Sequence, residues 1–326
     1  MSDLALAAFA AAQDAHLVRA PRDRAFRRFA RAFDERDYLA RLRDQGVRWI
    51  GRGDPEFPSL LGAIHDPPPG LFVRGDGALE TLRGPTTAVV GARACSPYGS
   101  HVARMLGREL GRAGVVVVSG LARGVDGEAH RGALDAGGTT IAVLGCGIDR
   151  DYPAAHRELA ARIRSTGLAV SEYPPGVEPM PWRFPARNRI IAGLSAATVV
   201  VEARDRSGAL ITADLALEEG REVFAVPGEI TSALSSGTND LLKLGATPLT
   251  RSADMLEVFG LVGAETTEVE VSPGATRVLE RLRDGPASPD ELARTTGLDA
   301  GSLAAALTEL ELAGCAVQGG GVYRAA

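Results

Sequence analysis

The stretch Val115–Asp126, VVVVSGLARGVD, decides the fold that the sequence predicts. Four valines in a row are typical of a strand that is buried on both faces, as the strands of parallel sheets are. The glycine-rich loop after it leads into a segment with apolar residues at helical spacing. A buried strand, a tight turn and a helix make up the repeating unit of α/β domains with a parallel sheet.

The same unit recurs on both sides of this stretch. Strands are predicted at Thr87–Val90, Val115–Ser119, Thr139–Leu144, Leu168–Ser171, Thr198–Val201 and Glu222–Val226. Helices are predicted between them at 98–112, 124–136, 153–165, 186–195 and 208–220. The fold class is therefore α/β, with an extended Rossmann-like parallel sheet that carries helices on both faces.

A helical pattern precedes this core. MSDLALAAFAAAQDAH has an acid and no basic residue before its apolar run, which favours a short helix over a signal peptide. Phe26, Phe29, Ala30 and Phe33 then recur at helical spacing. Arginines lie largely on the other face of that helix: Arg24, Arg27, Arg28 and Arg31. The face is interpreted as a solvated basic surface, with an auxiliary nucleic-acid contact as the alternative.

A winged-helix pattern follows the core. A helix is predicted at Gly274–Arg283, and a second begins after Ser288, with Pro289 and Glu291 completing its capping signal. Gly297 makes the turn into a third helix with an apolar stripe: Leu303, Ala306, Leu307, Leu310 and Leu312. Gly319–Gly321 then separates two short strands, as in a winged helix-turn-helix.

Net charge, together with turn-forming and polar segments, divides the 326 residues into four parts. Residues 1–52 carry a net charge of +4, residues 272–326 carry –2, and the whole chain carries –5. We predict an arginine-rich helical domain of the SAM-like type at 1–53 and the Rossmann-like domain at 54–262. A polar linker is predicted at 263–272 and a winged helix of the DML1-like type at 273–326.

Composition excludes several classes of protein. With 45% hydrophobic residues the chain is not wholly disordered, and its net charge of –5 excludes a general polycation for nucleic acid. Three well-separated cysteines and the absence of a long apolar run predict a cytoplasmic protein without disulfides, structural zinc or a membrane span. Lys243 is the sole lysine, so phosphate contacts must come from arginine.

Loops rich in glycine and serine follow the predicted strands. Gly91–Ser96, Ser119–Gly124 and Arg204–Gly208 would meet at the carboxyl edge of the sheet, where ligands bind in open α/β folds. Glycine lets backbone approach a ligand, and helix N-termini offer unpaired N–H groups to an anion. The sequence therefore predicts a phosphate site at this edge of the sheet.

The segment Trp182–Ile191, WRFPARNRII, adds charge and aromatic rings to that edge. Pro185 suits the first position of a helix, and Arg187 shares the buried face of Ile190 and Ile191. An arginine directed at the end of the sheet needs a negatively charged partner. The partner is predicted to be a bound anion, and a salt bridge to Asp126 or Glu202 is the alternative. Phe184 is a candidate for stacking on a base.

Three enzyme classes fit poorly. Dinucleotide-binding enzymes need GxGxxG, which the loop after the first core strand lacks, and ATPases need the phosphate loop GxxxxGK[ST], which the chain lacks. Serine hydrolases need a nucleophile elbow, and none accompanies the five histidines. His130 is interpreted as a packing histidine. The sequence predicts no cofactor and no metal site.

Eight stretches together resemble the DNA-processing protein A family (DprA, also called Smf). They are VGAR at 90–93, SGLARGVD at 119–126, AVLG at 142–145, SEYP at 171–174, FPARNRIIAG at 184–193, SGALITA at 207–213, and VPG at 226–228 followed by SGTN at 236–239. The resemblance spans residues 54–260. It implies a non-enzymatic protein that binds and protects single-stranded DNA, forms a homodimer through the Rossmann-like domain and helps to load the RecA recombinase in natural transformation.

The resemblance also implies the residues that contact DNA. They are Gly91, Arg93, Ser96, Ser119, Gly120, Gly124, Arg183, Phe184, Arg187, Asn188, Arg189, Ser207 and Gly208. Many relatives have lysine where this chain has Arg183. The third helix of the winged helix carries Glu309 and Glu311 but no basic residue, which favours protein docking over groove reading.

The alternative is a nucleotide phosphoribohydrolase with the same type of fold. Such enzymes are similar to this chain at Gly208–Ala213 but need a glutamate where Ile211 and Thr212 stand. Without that carboxylate, cleavage of a glycosidic bond lacks its acid or stabilising group.

Overall fold

The computed structural model describes residues 2–12, 24–261 and 271–325. They belong to two compact units, Met1–Val262 and Gly263–Ala326. Residues 263–270 of the predicted linker lie outside the described residues, and Ser272 already caps the first helix of the second unit. No helix among the described residues is both long enough and apolar enough to cross a membrane.

A nine-stranded sheet forms the centre of the first unit. Its strands are β1 (Arg48–Gly51), β2 (Gly70–Arg74), β3 (Thr86–Val90), β4 (Val116–Ser119), β5 (Thr140–Val143), β6 (Leu168–Ser171), β7 (Ala197–Val200), β8 (Glu222–Ala225) and β9 (Thr247–Pro248). Their order is β1-β2-β6-β5-β4-β3-β7-β8-β9. The pairs from β6 to β9 are parallel, whereas β1–β2 and β2–β6 are antiparallel.

Helices cover both faces of this sheet. They are α1 (Asp3–Ala12), α2 (Arg24–Ala32), α3 (Glu35–Asp44), α4 (Ser59–Gly62), α5 (Pro97–Arg112), α6 (Val125–Asp135), α7 (Arg157–Thr166), α8 (Arg183–Leu194), α9 (Gly208–Glu218), α10 (Ser236–Lys243) and α11 (Ala253–Leu256). Side chains of α4, α8, α9 and α10 pack on one face. Those of α1, α2, α5, α6, α7 and α11 pack on the other.

Alternation along the valine strand explains why both faces are covered. Val116 and Val118 enter the core beneath α8 and α9, whereas Val115 and Val117 enter the core beneath α5 and α6. All four side chains are buried. A strand with an apolar residue at every position needs a helix layer on each side, and the structure provides both.

The predicted parallel sheet is confirmed, and the six predicted strands lie within one residue of their observed ends. The predicted set omitted β1, β2 and β9. β1 and β2 extend the sheet beyond β6 as antiparallel strands, with Ile50 paired to Leu71 and Phe72 paired to Ser171. β1 lies before residue 54, so the sheet includes residues that the prediction assigns to the first domain.

The N-terminal helices pack directly against the sheet layer. Leu4–Ala10 of α1 are all buried. Phe9 of α1 contacts both Phe26 and Phe29, with ring centroids 5.3 Å apart in each pair. Phe9 and Phe26 belong to the same hydrophobic cluster as Phe72 of β2. The helical pattern predicted from the phenylalanine spacing is thus observed, together with its buried face.

The second unit contains α12 (Pro273–Arg283), α13 (Pro289–Thr296), α14 (Ala300–Leu312), β10 (Ala316–Gly319) and β11 (Val322–Ala325). The predicted capping box is present, since the Ser288 side chain accepts from the Glu291 N–H and the Glu291 carboxylate accepts from the Ser288 N–H. One member of the predicted apolar stripe was wrong. Leu312 is 85% exposed, because the last turn of α14 extends past the core that holds Leu310.

Candidate nucleic-acid interface

A cavity opens where the strand order of the sheet reverses. The chain proceeds from β3 outward to β6 and then crosses back to β7 on the other side of β3. Such a reversal separates the loops at the carboxyl ends of two adjacent strands and leaves a crevice between them. This switch-point cavity has a volume of about 240 Å³. Its lining comprises Val90, Gly91, Ala92, Arg93, Ala122, Asp126, Phe184, Pro185, Arg187, Asn188, Ile191, Ser207, Gly208, Ala209 and Thr212.

Helix α8 brings five of the fifteen lining residues to the cavity. It begins at Arg183, so the prediction that Pro185 takes the first helical position was wrong by two residues. Pro185 is the third residue of the helix, where a missing N–H is still harmless because the first-turn N–H groups have no helical partner. The earlier start makes Phe184 part of the helix, and its ring reaches the cavity.

Arg187 lies in the floor of the cavity with only 4% of its surface exposed. Its Nη1 donates to the carbonyl oxygens of Gly120, at 2.9 Å, and of Val143, and its Nε donates to Asn188. Burial lowers the pKa of the guanidinium to about 10, and it stays charged at neutral pH. Nη2 has no hydrogen bond among the described residues, so this buried cation retains a donor for a ligand.

Asp126 supplies the one carboxylate in the described lining of the cavity. Its Oδ2 accepts from the backbone N–H groups of Gly120 and Ala122 at 3.1 and 3.3 Å. Burial raises its pKa, and the charge of Arg187 opposes that rise. Neither Asp126 nor Glu202 forms an ion pair with Arg187, but Asp126 occupies two amides that the sequence analysis left for an anion.

Two aromatic rings and an arginine form one wall. The Phe184 and Tyr152 rings stack with centroids 5.3 Å apart and planes 24° apart. The Arg93 guanidinium lies 5.6 Å from the centroid of Phe184. Arg93 is exposed and makes no ion pair with any described residue. The wall therefore offers a positive charge beside an aromatic surface, which suits a phosphate next to a base.

The N-terminus of α9 forms the opposite wall. The Ser207 hydroxyl is buried and has no hydrogen-bond partner in the described part of the chain. The Asn188 side chain donates to the Gly208 carbonyl at 3.0 Å and so ties α9 to α8. The Gly208 and Ala209 amides make no hydrogen bond with a described residue. Unpaired first-turn amides of a helix attract anions.

Glycines hold the loops at this edge closely together. Gly124 has φ +73°, and a Cβ there would lie 2.3 Å from the Ala92 carbonyl oxygen. A Cβ at Gly120 would lie 2.6 Å from Arg187 Nη2, and one at Gly91 would lie 2.6 Å from Val125. These three glycines set the spacing between the β3 loop, the β4 loop and α8.

Four of the residues implied by the resemblance have partners outside the cavity lining. The Ser96 side chain caps α5 by accepting from the Gly99 N–H, and it donates to Glu202. The Ser119 hydroxyl is fully buried and donates to the Val89 carbonyl. Arg183 is buried, donates to the Glu178 carbonyl and lies over the rings of Tyr173 and Trp182.

Arg189 is the fourth. Its Nη2 donates to the buried carboxylate of Glu172, and its Nη1 donates to the Asp66 carbonyl at 2.9 Å. Arg189 Nε also lies 3.9 Å from the Asp66 carboxylate. We refer to Arg189, Glu172 and Asp66 as the closed arginine cluster.

The structure thus brings together seven of the residues that the sequence analysis named: Gly91, Arg93, Phe184, Arg187, Asn188, Ser207 and Gly208. Tyr152 and Thr212 were not among the predicted residues. Tyr152 precedes Pro153 in a loop without periodicity, so only its aromatic character could have marked it. Thr212 lies one helical turn after Gly208 in α9, and that spacing was the available signal.

Comparison with known proteins follows the same division of the chain. The family model for DNA recombination-mediator protein A matches residues 48–260, and the model for the DprA winged helix domain matches residues 262–321. The first match begins at β1 and ends shortly after α11. It therefore includes the strand that lies before residue 54.

Curated relatives match over most of their length. A protein of Mycobacterium tuberculosis described as a putative DNA processing protein DprA is 42% identical over 89% of this chain and 79% of its own. The DNA processing protein DprA of Streptococcus pneumoniae is 47% identical over 63% of this chain and 72% of its own. Protein Smf of Escherichia coli is 43% identical over 82% and 75%.

Two solved structures share the fold. The X-ray structure of DprA from Streptococcus pneumoniae has a TM-score of 0.67 and 38% identity, covering 82% of this chain and 93% of its own. A structure of DNA processing protein A from Helicobacter pylori has a TM-score of 0.59 and 31% identity, covering 65% and 95%. Its description concerns a single-stranded DNA binding mode.

Proposed function

The chain belongs to the DNA recombination-mediator protein A family, and from that membership we propose that it binds single-stranded DNA in the switch-point cavity. The observation that carries the proposal is the position of Arg187. A guanidinium that is buried, charged and left with an unused Nη2 donor faces a cavity with unpaired amides on its opposite wall. A buried charge of this kind requires an anionic partner, and a phosphodiester supplies one.

Each wall of the cavity has its own part in the proposed binding mode. Phosphates lie between Arg187 and Arg93 on one side and the Ser207 hydroxyl with the first amides of α9 on the other. A base packs against the ring of Phe184. The contacts involve backbone and ring faces rather than base edges, so binding is independent of sequence. Gly91, Gly120 and Gly124 space the loops, while Ser96, Ser119, Arg183 and Arg189 support the loops and α8.

A wider role follows from the resemblance. We propose that the protein protects incoming or recombination-intermediate single strands in the cytoplasm and helps to load the RecA recombinase onto them. We also propose a homodimer through the Rossmann-like domain, at Leu241–Phe259. Leu244 supports this location, because 84% of its side chain is exposed. A dimer would place two cavities on one strand and raise the effective concentration of the second.

The second unit is proposed to dock a protein rather than to read a DNA groove. Glu311 is exposed on α14, and Glu309 is engaged by the Ser272 N–H and hydroxyl. A recognition helix with these acids and no basic residue would repel phosphate.

The salt dependence of binding to oligothymidylate tests the cavity. With about three phosphates neutralised per protomer, log affinity falls with log salt concentration at a slope of about –2. We expect Arg93→Gln and Arg187→Gln each to make that slope shallower by about 0.7. Arg112→Gln is the matched control, because Arg112 is exposed at the far end of α5. Unchanged slopes in both cavity variants would remove the cavity from the proposal.

Substitution of the ring tests base stacking separately. Phe184→Ala is expected to weaken binding by about 1–3 kcal/mol with little change in the salt slope, since the ring carries no charge. Fluorescence anisotropy with a labelled oligothymidylate measures both quantities. A weakened affinity together with a shallower slope would mean that the ring acts only by holding Arg93 in place.

The phosphoribohydrolase alternative has less support. Asp126 is the one carboxylate among the described residues of the cavity lining, and two backbone N–H groups already hold it. Glycosidic cleavage by carboxylates requires two of them. Release of free base from nucleoside monophosphates incubated with the protein would restore the enzyme alternative.

A further inference from the structure

The outer face of α2 concentrates positive charge on one side of a short helix. Arg24, Arg27, Arg28 and Arg31 are all exposed. At 100° per residue their directions fall within an arc of about 100°. Phe26 and Phe29 lie on the opposite side, against Phe9 of α1. The helix RAFRRFARA contains no acidic residue. We call the four arginines the α2 arginine face.

Some arginines on other surface helices pair with acids. Arg41 of α3 pairs with Asp37 at 3.1 Å, and Arg162 of α7 pairs with Asp135 at 3.0 Å. By contrast, Arg24, Arg28 and Arg31 form no ion pair with any described residue. Because the whole chain carries a net charge of –5, a face with only positive charge is not a general property of its surface. Such a local field attracts a polyanion.

The face borders a cavity, and the inner side of α2 packs in a hydrophobic cluster that reaches Tyr173 near α8. A cavity of about 330 Å³ opens beside it, lined by Arg27 and Arg31 together with Ser2, Ala5, Ala30, Phe33 and Glu35. Phe26, on the inner side of α2, belongs to the same hydrophobic cluster as Tyr173. The Tyr173 ring lies beneath Arg183, the first residue of the helix that lines the switch-point cavity. One packed cluster therefore supports both regions.

We propose that the α2 arginine face binds the phosphodiester backbone of single-stranded DNA beyond the nucleotides held in the switch-point cavity. This inference rests on the proposed function. Planar guanidinium groups pair with phosphate oxygens through two parallel hydrogen bonds. Those of Arg24, Arg28 and Arg31 are spaced by about one helical turn and can follow a flexible strand without reading its bases. The face adds affinity for long strands and none for strands that only fill the cavity.

The test compares two strand lengths with one pair of variants. The first variant is Arg24→Gln/Arg28→Gln/Arg31→Gln, which keeps Arg27 and leaves the phenylalanine side of α2 untouched. The matched control is Arg36→Gln/Arg41→Gln/Arg43→Gln on α3, which removes the same charge from the neighbouring helix, where acids alternate with the arginines. Glutamine is a good helix former, so both helices are preserved.

Binding is measured with oligothymidylates of about 6 and about 30 nucleotides over a salt series. For the long strand we expect the α2 variant to bind about tenfold more weakly, with a slope shallower by about 2. For the short strand we expect wild-type affinity. The α3 variant should show a smaller change in slope than the α2 variant on the long strand.

Each other outcome decides against the proposal. Equal effects of the α2 and α3 variants on the long strand would mean that only the total charge of the protein matters, and not its position on α2. A loss on the short strand as well would mean that α2 acts on the cavity itself. Unchanged DNA binding with lost binding to phosphatidylserine vesicles would assign the face to membranes. If the wild type binds neither strand, the proposed function fails, and that result is distinct from all of these.

Discussion

Two arginines on one helix are used in opposite ways. Arg187 and Arg189 stand two residues apart on α8, and both are at least nine-tenths buried. Arg187 faces the switch-point cavity, is held by carbonyl oxygens, and retains a free Nη2 donor. Arg189 faces away from the cavity lining and is engaged by Glu172 and Asp66 in the closed arginine cluster.

The difference lies in what neutralises each charge. Carbonyl oxygens orient the Arg187 guanidinium, and the Asp126 charge acts on it without forming an ion pair, so a ligand can still bind to it. The Glu172 carboxylate neutralises Arg189 within the fold, and a second anion there would be unfavourable. Burial and residue type are the same, yet one site is open to a ligand and the other stabilises the protein.

Removal of each arginine gives the largest expected effect. Arg189→Met leaves Glu172 buried without its partner and should lower the free energy of unfolding by about 3–5 kcal/mol. Arg187→Met breaks no ion pair. Asp126 loses the favourable charge of Arg187 but keeps its two backbone N–H groups, so the loss of stability should be smaller. Urea denaturation of both variants measures the difference.

A rescue variant sharpens this comparison. Arg189→Met/Glu172→Met removes both charges of the pair and should recover part of the lost stability. If Arg187→Met proves more destabilising than Arg189→Met, the comparison is wrong, because the open site would then contribute more to the free energy of unfolding than the closed arginine cluster does.

Acid is expected to produce the next largest effect, through His130. Its Nδ1 donates to Thr140 Oγ1, whose own proton goes to the Val117 carbonyl. Burial lowers the His130 pKa to about 3, with smaller contributions from His156 and from the charges of Arg131 and Arg187. The unfolded chain therefore takes up the proton first, and stability falls as the pH drops below 6.5. Between pH 7 and pH 5 this loss is about 2 kcal/mol.

The variant His130→Gln isolates that contribution, since it lacks the titrating ring. Unfolding in urea at pH 7 and pH 5 should show a smaller difference for this variant than for the wild type. His65→Gln, at an exposed position, is the control. Arg187→Met and Arg189→Met should both keep the acid loss, because burial is the largest cause of the low His130 pKa and neither substitution removes it. Equal acid loss in wild type and His130→Gln would contradict this account.

The smallest expected effect concerns the outer ring of the cavity wall. Tyr152 is 44% exposed and stacks on Phe184. Tyr152→Ala should weaken the binding of oligothymidylate by about 1 kcal/mol, and Tyr152→Phe should bind as the wild type does. If Tyr152→Ala weakens binding more than Phe184→Ala, the base stacks on the outer ring instead. Anisotropy titrations at one salt concentration are sufficient to rank the three variants.

Most of the sheet could be predicted from the sequence because its central strands are short, mainly apolar runs, several of them rich in valine and threonine. The missed strands β1 and β2 read RWIG and GLFVR, in which glycine and arginine at the ends interrupt the apolar pattern. Their pairing depends on β6, a strand far along the chain. Contacts between distant segments leave no local pattern.

The same limit applies to the candidate site. Helical spacing placed Arg187 on the inward face of α8, and it lies in the cavity. No spacing could indicate that Glu172 and Asp66 would meet Arg189, because they belong to separate loops. The amides taken by Asp126 were missed for a related reason. A carboxylate six residues after Gly120 returns to it only because the loop is tightly turned.

The pairing of β2 with β6 has a consequence for synthesis on the ribosome. Phe72 bonds to a strand that ends 99 positions later, at Ser171. The apolar side of α1, and Phe26 with it, shares a cluster with Tyr173 and Val177. During synthesis the apolar side of these N-terminal helices therefore stays exposed until β6, Tyr173 and Val177 have left the ribosome. Chaperones that hold exposed apolar segments would act during this interval.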